Sequence, residues 1–381
     1  MSSVGIICEY NPFHNGHLYH LNKIKELYPD DIIVLILSGN YTQRGDFSII
    51  DKWKKTEIAK NAGIDLIVEL PFAFATQSAD FFSYGAVTLL EKLKVEKLVF
   101  GSESDNINDL EIIAKCQIEN PDFDKLVKVY SKFGYNYPTA INNSIYDLTS
   151  KKVDTPNDLL GVSYVKTILE NNYNIKPICI KRTNDYHDTN LDEVSSGTSI
   201  REALKENKDI SKSVPEFVIP YLKDLHFRDD YFSLLKYKII SEKDLSIYQT
   251  VDEGIGEKIK KVINEVNNYE ELIDKLKTKR YTYNKISRML LHILVGFTKE
   301  MANSMKEIEY IRILGFSKKG QAYLNKVKKD IDIEILSKFV RNNKFLELEL
   351  RTTLIYSLPT NSNYLYKEEY KNHLGKDNKY D

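Results

Sequence analysis

The sequence is short of cysteine, has a single tryptophan, carries no excess of either charge and contains no long apolar stretch. Its three cysteines, Cys8, Cys116 and Cys179, are scattered among apolar neighbours. That excludes a disulfide-stapled scaffold and a zinc site built on cysteine spacing, and it fits reduced thiols. Lysine plus arginine total 54 against 55 acidic residues, so a polyanion would have to be held by a local basic patch and not by the field of the whole molecule. Nowhere do about 18 uninterrupted apolar residues occur, and the chain enters a strand-like run without the basic segment and small-residue cleavage site of a secretory leader. The expectation is a soluble, cytoplasmic protein without a membrane partner. A repeat of fixed period is also lacking.

What is present is a regular alternation. At about 100 to 200 residues per domain, 381 residues suffice for two, at most three, cores. "GIICEY", "DIIVLILSG", "DLIVEL" and "KLVFGSE" are each followed by a stretch of helical period, over about 17–27, 51–61, 78–93 and 109–118. A fifth unit joins a helix over 157–170, the strand "IKPICIK" and a helix opening at "SSGTSIREAL". Strands that are apolar throughout suit a sheet covered on both faces. The fold class expected is therefore α/β, a Rossmann-like parallel sheet with helices on both faces over residues 1–210, with a tyrosine-rich insertion at about 121–154. Beyond "SKSVPEFVIPYL" the pattern turns to helix after helix, which predicts a mostly α-helical C-terminal domain over 211–381.

Chemistry concentrates where the first strand hands over to its helix, in "CEYNPFHNGH". In open α/β sheets ligands sit beyond the carboxyl ends of the strands, where a helix start offers unpaired N–H groups and the positive end of its dipole. Gly16 would let backbone approach a phosphate, and His14 and His17 supply N–H donors that follow charge as it builds on phosphate oxygens. The reaction implied is attack on the α-phosphate of a nucleoside triphosphate, which needs positioning and charge stabilisation more than covalent help. The plainer reading makes these histidines a turn and a helix start with no chemical task. His20, one turn on, suits helix surface or packing.

The H-x-G-H after the first strand, with "SSGTSIR" opening a late helix, resembles the nucleotidylyltransferase superfamily. "EYNPFHNGH", "LSGNYTQRG", "DKWKKTEIA", "VELPFAFATQSADFFSYGAVTLLEKL", "LVFGSE", "TPNDLLGVSY" and "YHD" further resemble the bacterial tRNA(Met) cytidine acetate ligase family. That likeness is dense over the first two hundred residues and thinner through "LKTKRYTYNKISRMLLHILVGF" and "LGFSKKG". The resemblance implies an enzyme that makes acetyl-adenylate from ATP and acetate and passes the acetyl group to the wobble cytidine of elongator tRNA(Met), giving N4-acetylcytidine. It implies ATP as substrate, accompanied by Mg2+, with no protein-bound metal. Carried over, catalysis falls to His14 and His17. ATP contacts fall to Ile7, Cys8, Glu9, Tyr10, Asn11, Pro12, Phe13, His14, Asn15, Gly16, His17 and His20, to Gly101, Asn157 and Arg182, and to Thr198, Ser199 and Arg201. Gly101 would leave room for the nucleotide, Asn157 would bond ribose or base, and Arg182 would neutralise phosphate. Two departures stand out: Gly197 replaces the usual serine of the late motif, and "QRGDFSI" differs from "QRGEPA".

Outside that frame, Arg44 in "YTQRG" could meet a carboxylate or an RNA phosphate, or stay a solvated loop arginine. Asp51 is explained in part as a helix cap, and Trp53 suits core or interface. "DKLKTKRYTYNKISR" interleaves Lys275, Lys277, Lys279, Arg280, Lys285 and Arg288 with Tyr281 and Tyr283, a pattern suited to RNA, with Lys279, Arg280, Lys285 and Arg288 as the tRNA contacts. "FSKKGQAYLNKVKK" is a second candidate. Rival readings are a small-molecule adenylyltransferase and an RNA-binding protein that keeps the nucleotide pocket only as a fold element.

Overall fold

The computed structural model describes residues 1–182, 196–360 and 363–373. The strands form where the apolar runs fall. The order is β1 (Ser3–Cys8), α1 (Asn15–Leu27), β2 (Ile32–Ser38), α2 (Lys52–Asn61), β3 (Leu66–Leu70), α3 (Phe72–Ala75), α4 (Ala79–Lys92), β4 (Lys97–Ser102) and α5 (Ile107–Glu119). The insertion folds as α6 (Phe123–Lys132) and α7 (Tyr137–Thr149), after which come α8 (Pro156–Glu170), β5 (Lys176–Lys181) and α9 (Gly197–Lys205). Every residue of β2 and β3 is buried, as covering on both faces requires.

The rest of the chain is mostly helical: α10 (Phe232–Ser241), α11 (Ile255–Val262), α12 (Tyr269–Leu276), α13 (Tyr283–Val295), α14 (Lys299–Ser304), α15 (Lys318–Val327), α16 (Lys344–Ser357) and α17 (Asn363–Tyr370). Two strands interrupt it, β6 (Tyr310–Phe316) and β7 (Glu334–Leu336). They extend the sheet to the order β5-β4-β1-β2-β3-β6-β7, with β6 antiparallel to β3 and the other pairs parallel. This corrects the expectation that the sheet draws its strands from the first two hundred residues alone.

The seven residues of β6 are all buried although Arg312 sits among them. Its guanidinium lies 3.0 Å from Glu69 and 2.6 Å from Glu369. Lys52 lies 2.6 Å and 2.7 Å from the same two carboxylates. All four side chains are fully buried. Each acid meets two cations and each cation two acids, so the burial of charge is compensated within the cluster. It binds α2, β3, β6 and α17 together. Trp53 covers it, buried and stacked on His373 with ring centroids 4.2 Å apart.

The topology also places the site. From β1 the chain steps outward through β2 and β3, then crosses back to set β4 and β5 on the other side of β1. The loops after β1 and β4 therefore part in opposite directions and open a crevice at the carboxyl end of the sheet. Among the described residues, no helix is long and apolar enough to cross a membrane.

Candidate active site

The loop after β1 is built by its own side chains. Tyr10, Asn11, Pro12 and Phe13 are buried. Asn11 fastens the loop after β2, accepting from the Ile49 N–H at 2.7 Å and donating to the Phe47 carbonyl at 3.5 Å. His14 then caps α1. Its Nδ1 accepts from the Gly16 N–H at 3.1 Å, and His17 Nδ1 accepts from the His14 N–H at 3.3 Å. The Asn15 N–H is taken by the Ser213 carbonyl at 3.1 Å. The expectation that the start of α1 offers free backbone N–H groups is thereby corrected, because imidazole nitrogens and the 213 segment already occupy them.

The capping has a chemical consequence. A neutral imidazole that accepts at Nδ1 carries its proton on Nε2, so both rings present an Nε2–H. The rings lie with centroids 3.8 Å apart, and both are held neutral. Burial, then Arg182 and Arg201, push His14 down to about 3. Burial, then His14, Arg182 and His20, hold His17 well below its ordinary value. His20 falls to about 4 through burial and Arg182. Two donors beside two guanidinium groups make a place for concentrated negative charge.

The opposite wall comes from α9. Ser196 caps it, its Oγ accepting from the Ser199 N–H at 3.2 Å. The N–H groups of Gly197 and Thr198 belong to the first turn, where no intrahelical acceptor exists. Arg201 ties α9 to the loop after β1, donating to the Asn11 carbonyl at 2.7 Å and to Thr198 Oγ1 at 3.2 Å. The departure at Gly197 has a reason here: a Cβ would lie 3.2 Å from the Asn11 carbonyl oxygen and 3.3 Å from Arg201. Gly101 similarly makes room for a neighbour, since a Cβ would lie 3.3 Å from the stem of Arg182. Asn157 donates its amide to Glu103 Oε1 at 2.5 Å. Asp158 accepts from Ser102, Glu103, Ser104 and Thr155, which clamps the loop after β4 to the start of α8. The "YHD" stretch lies outside the described residues.

Sequence reasoning missed two residues at the carboxyl ends of β1 and β2. Lys55 is fully buried and donates to the carbonyls of Glu9, Ser38 and Gly39 at 2.9, 2.8 and 2.6 Å. Burial drives its ammonium down to about 7. Gln43, in the loop after β2, donates its N–H to Glu9 Oε1 at 2.6 Å. The signal was available for Lys55, since helical spacing sets Lys52, Lys55 and Ala59 on the face of α2 that must pack. Cys8 is no nucleophile, because burial raises its thiol to about 12.

The basic segment departs from its expected form. Tyr281 is buried with its hydroxyl on the Asp252 carbonyl, and Tyr283 bonds Glu270, so neither ring is a free stacking surface. Arg280 pairs with Glu253, and Lys285 lies over the Tyr281 ring. Arg288 faces inward, 3.4 Å from the Gln43 carbonyl. Gly45 of the same loop has φ +78° and lies so close to α13 that a Cβ would stand 2.4 Å from the Arg288 nitrogen. "FSKKGQAYLNKVKK" sits at the other end of the sheet: Tyr323 bonds Ser3 at the start of β1, and Ser317 bonds Asp65 just before β3. Among the described residues, no three His, Cys, Asp or Glu side chains converge as a metal site would require.

A topological crevice lined by an H-x-G-H helix cap, two arginines and a second helix start defines a nucleotidyl transferase. Residues 1–372 match the family model described as HIGH Nucleotidyl Transferase. The chain is 38% identical over 392 residues to the tRNA(Met) cytidine acetate ligase of Caldicellulosiruptor saccharolyticus, covering 98% of each. It is 38% identical over 387 residues to that of Clostridium acetobutylicum, covering 94% of this chain and 96% of the relative. Apo Thermotoga maritima TmcAL superposes with a TM-score of 0.89 at 30% identity over 98% of this chain and 97% of that one. The form bound with alpha-thio ATP gives 0.86 at 29% identity over the same shares. The chain belongs to the tRNA(Met) cytidine acetate ligase family.

Proposed function

We propose that this protein is an ATP-dependent tRNA(Met) cytidine acetate ligase. It activates acetate as acetyl-adenylate with release of pyrophosphate, then acetylates N4 of the wobble cytidine of elongator tRNA(Met) in the cytoplasm. The observation that carries this reading is the mutual capping of His14 and His17, which aims two Nε2–H donors into a crevice flanked by Arg182 and Arg201.

ATP lies across the crevice between the loops after β1 and β4. Its phosphates meet His14, His17, Arg182, Arg201 and the amide groups at the start of α9. As an acetate oxygen attacks the α-phosphorus, charge gathers on the phosphoryl oxygens and on the departing pyrophosphate, and donors already aimed there need no reorganisation. Any Mg2+ would enter with the triphosphate as part of the substrate. The mixed anhydride leaves the acetyl carbonyl electrophilic enough for the weakly basic cytosine amine to attack it without an acyl-enzyme. Residues 1–210 carry the nucleotide chemistry, and residues 211–381 present the anticodon stem, with Lys279, Arg280 and Lys285 toward its phosphates and Arg288 holding the loop after β2.

The test is incubation with labelled ATP, acetate and tRNA, omitting each in turn. Pyrophosphate release that needs acetate, with acetate label appearing in tRNA(Met), is the expected result. Release indifferent to acetate points to a small-molecule adenylyltransferase, and tRNA binding without release to a non-catalytic RNA-binding protein.

A further inference from the structure

Beyond the ATP contact that the resemblance implies, the adenylation chemistry gives Glu9 no chemical task. Glu9 follows β1 directly and is partly open to the crevice. Its Oε1 is fixed by the Gln43 N–H, and among the described residues Oε2 accepts no hydrogen bond. Four other acids at this end of the sheet, among the described residues, are occupied. Asp158 accepts four bonds, Glu103 holds Asn157 and the Asp158 N–H, Asp51 caps α2, and Glu69 lies in the buried ion cluster. The histidines cannot take a proton either. Each uses the lone pair of Nδ1 for a cap and carries hydrogen at Nε2.

Acyl transfer needs such an acceptor. An exocyclic amine that attacks a carbonyl must shed a proton as its bond to carbon forms. We propose that Glu9 is the general base of the transfer step, receiving on Oε2 the proton of the cytidine amine. In that step the N4–C bond forms and the C–O bond to the adenylate breaks. Its electron pair leaves on the phosphate oxygen of AMP, and the N4 proton passes to Glu9. The inference rests on the ligase reading above.

The surroundings fit a base. Burial raises the carboxyl above its ordinary value, opposed by the Gln43 N–H and by Lys55, Arg44 and Arg201; that makes it a stronger acceptor than a free carboxylate. The same cations keep the local charge favourable to acetate in the preceding step. Its position fits the acceptor substrate as well. The Gln43–Gly45 peptide that fixes Oε1 is held on α13 by Ser287, which donates to the Gly45 carbonyl at 2.8 Å, and by Arg288. The helix proposed to meet RNA and the loop that aims the carboxylate are thus in direct contact.

The experiment compares two readouts in Glu9→Gln, which keeps an acceptor for the Gln43 N–H: acetate-dependent exchange of labelled pyrophosphate into ATP, and single-turnover transfer of acetyl label to tRNA(Met). Transfer should fall by about 100-fold more than exchange does, and the rise of the transfer rate with pH, set by the carboxyl, should vanish. Equal losses in both, or transfer within about 3-fold of the parent, overturn the assignment. If the variant melts early, Glu9→Asp serves in its place: transfer falls by about 10-fold with the pH limb retained, and an unchanged rate or a lost limb overturns the assignment. Absence of acetate-dependent exchange in the parent enzyme defeats the ligase reading itself, and is seen before any variant is made.

Discussion

Two clusters of buried polar groups lie within one turn of α2 of each other, and they are satisfied in opposite ways. Around Lys52 every charge is answered: Glu69, Glu369 and Arg312 close a ring, and the carboxylates hold the ammonium above its ordinary value despite burial. Around Lys55 and the loop after β1 the groups are only half answered. Among the described residues, Lys55 meets carbonyls with no carboxylate in bonding range, Glu9 keeps one oxygen open, and two imidazoles keep one N–H each. A closed cluster holds a fold together, whereas an open one awaits a substrate. Burial alone does not separate them, nor does a lowered imidazole: His292 also falls to about 4 through burial, yet both its nitrogens are bonded, to Thr250 and Gln249 on one side and Thr76 on the other.

The difference can be broken from either side. Arg312→Met removes one cation from the closed ring and leaves two buried carboxylates to Lys52. It should cost about 3–5 kcal/mol of unfolding free energy, read in denaturant, while the folded fraction keeps its turnover. A loss below about 1 kcal/mol would show that the ring is not closed as described.

Protonation tests the same contrast. His292 stays neutral in the fold down to about pH 4, whereas in the unfolded chain it takes a proton below about 6.5. Stability should therefore be full above pH 6.5 and be lost as the pH falls toward 4, by about 3 kcal/mol for this residue alone. ATP should shrink the parallel loss from His14 and His17, whose rings would face phosphate, and leave that from His292 unmoved. Denaturant titrations at pH 7, 5.5 and 4.5, with and without ATP, decide it.

At the open cluster, His17→Ala should lower acetyl-adenylate formation by about 100-fold or more, the scale of one lost charge-stabilising donor. The unfolding free energy should fall only by what a helix cap is worth, about 1 kcal/mol. Retained adenylation in the folded variant would remove His17 from the chemistry.

Much of this was legible in the sequence because the signals are local. Uninterrupted apolar runs mark the buried parallel strands, and α1, expected over about 17–27 and found over Asn15–Leu27, begins at the motif that carries the chemistry. What escaped depends on distant partners. Arg312 breaks the apolar run of β6, and only Glu69 and Glu369, 243 and 57 residues away, make its burial tolerable. The N–H groups of α1 read as free because nothing local shows that Ser213 and the two imidazoles take them. The approach of the Arg182 stem to Gly101 likewise joins positions far apart in sequence. The tyrosines among the basic residues read as stacking surfaces until their hydroxyl partners in other segments were seen.

The antiparallel pairing of β6 with β3 decides how the molecule can be cut. A fragment ending near residue 210 would keep β3 but strip it of its neighbour, baring a row of backbone donors and acceptors along an apolar edge. Such a fragment would invite a second copy to dock there and would elute as soluble aggregates on gel filtration, so dissection of the enzyme must retain the late strand with the early ones.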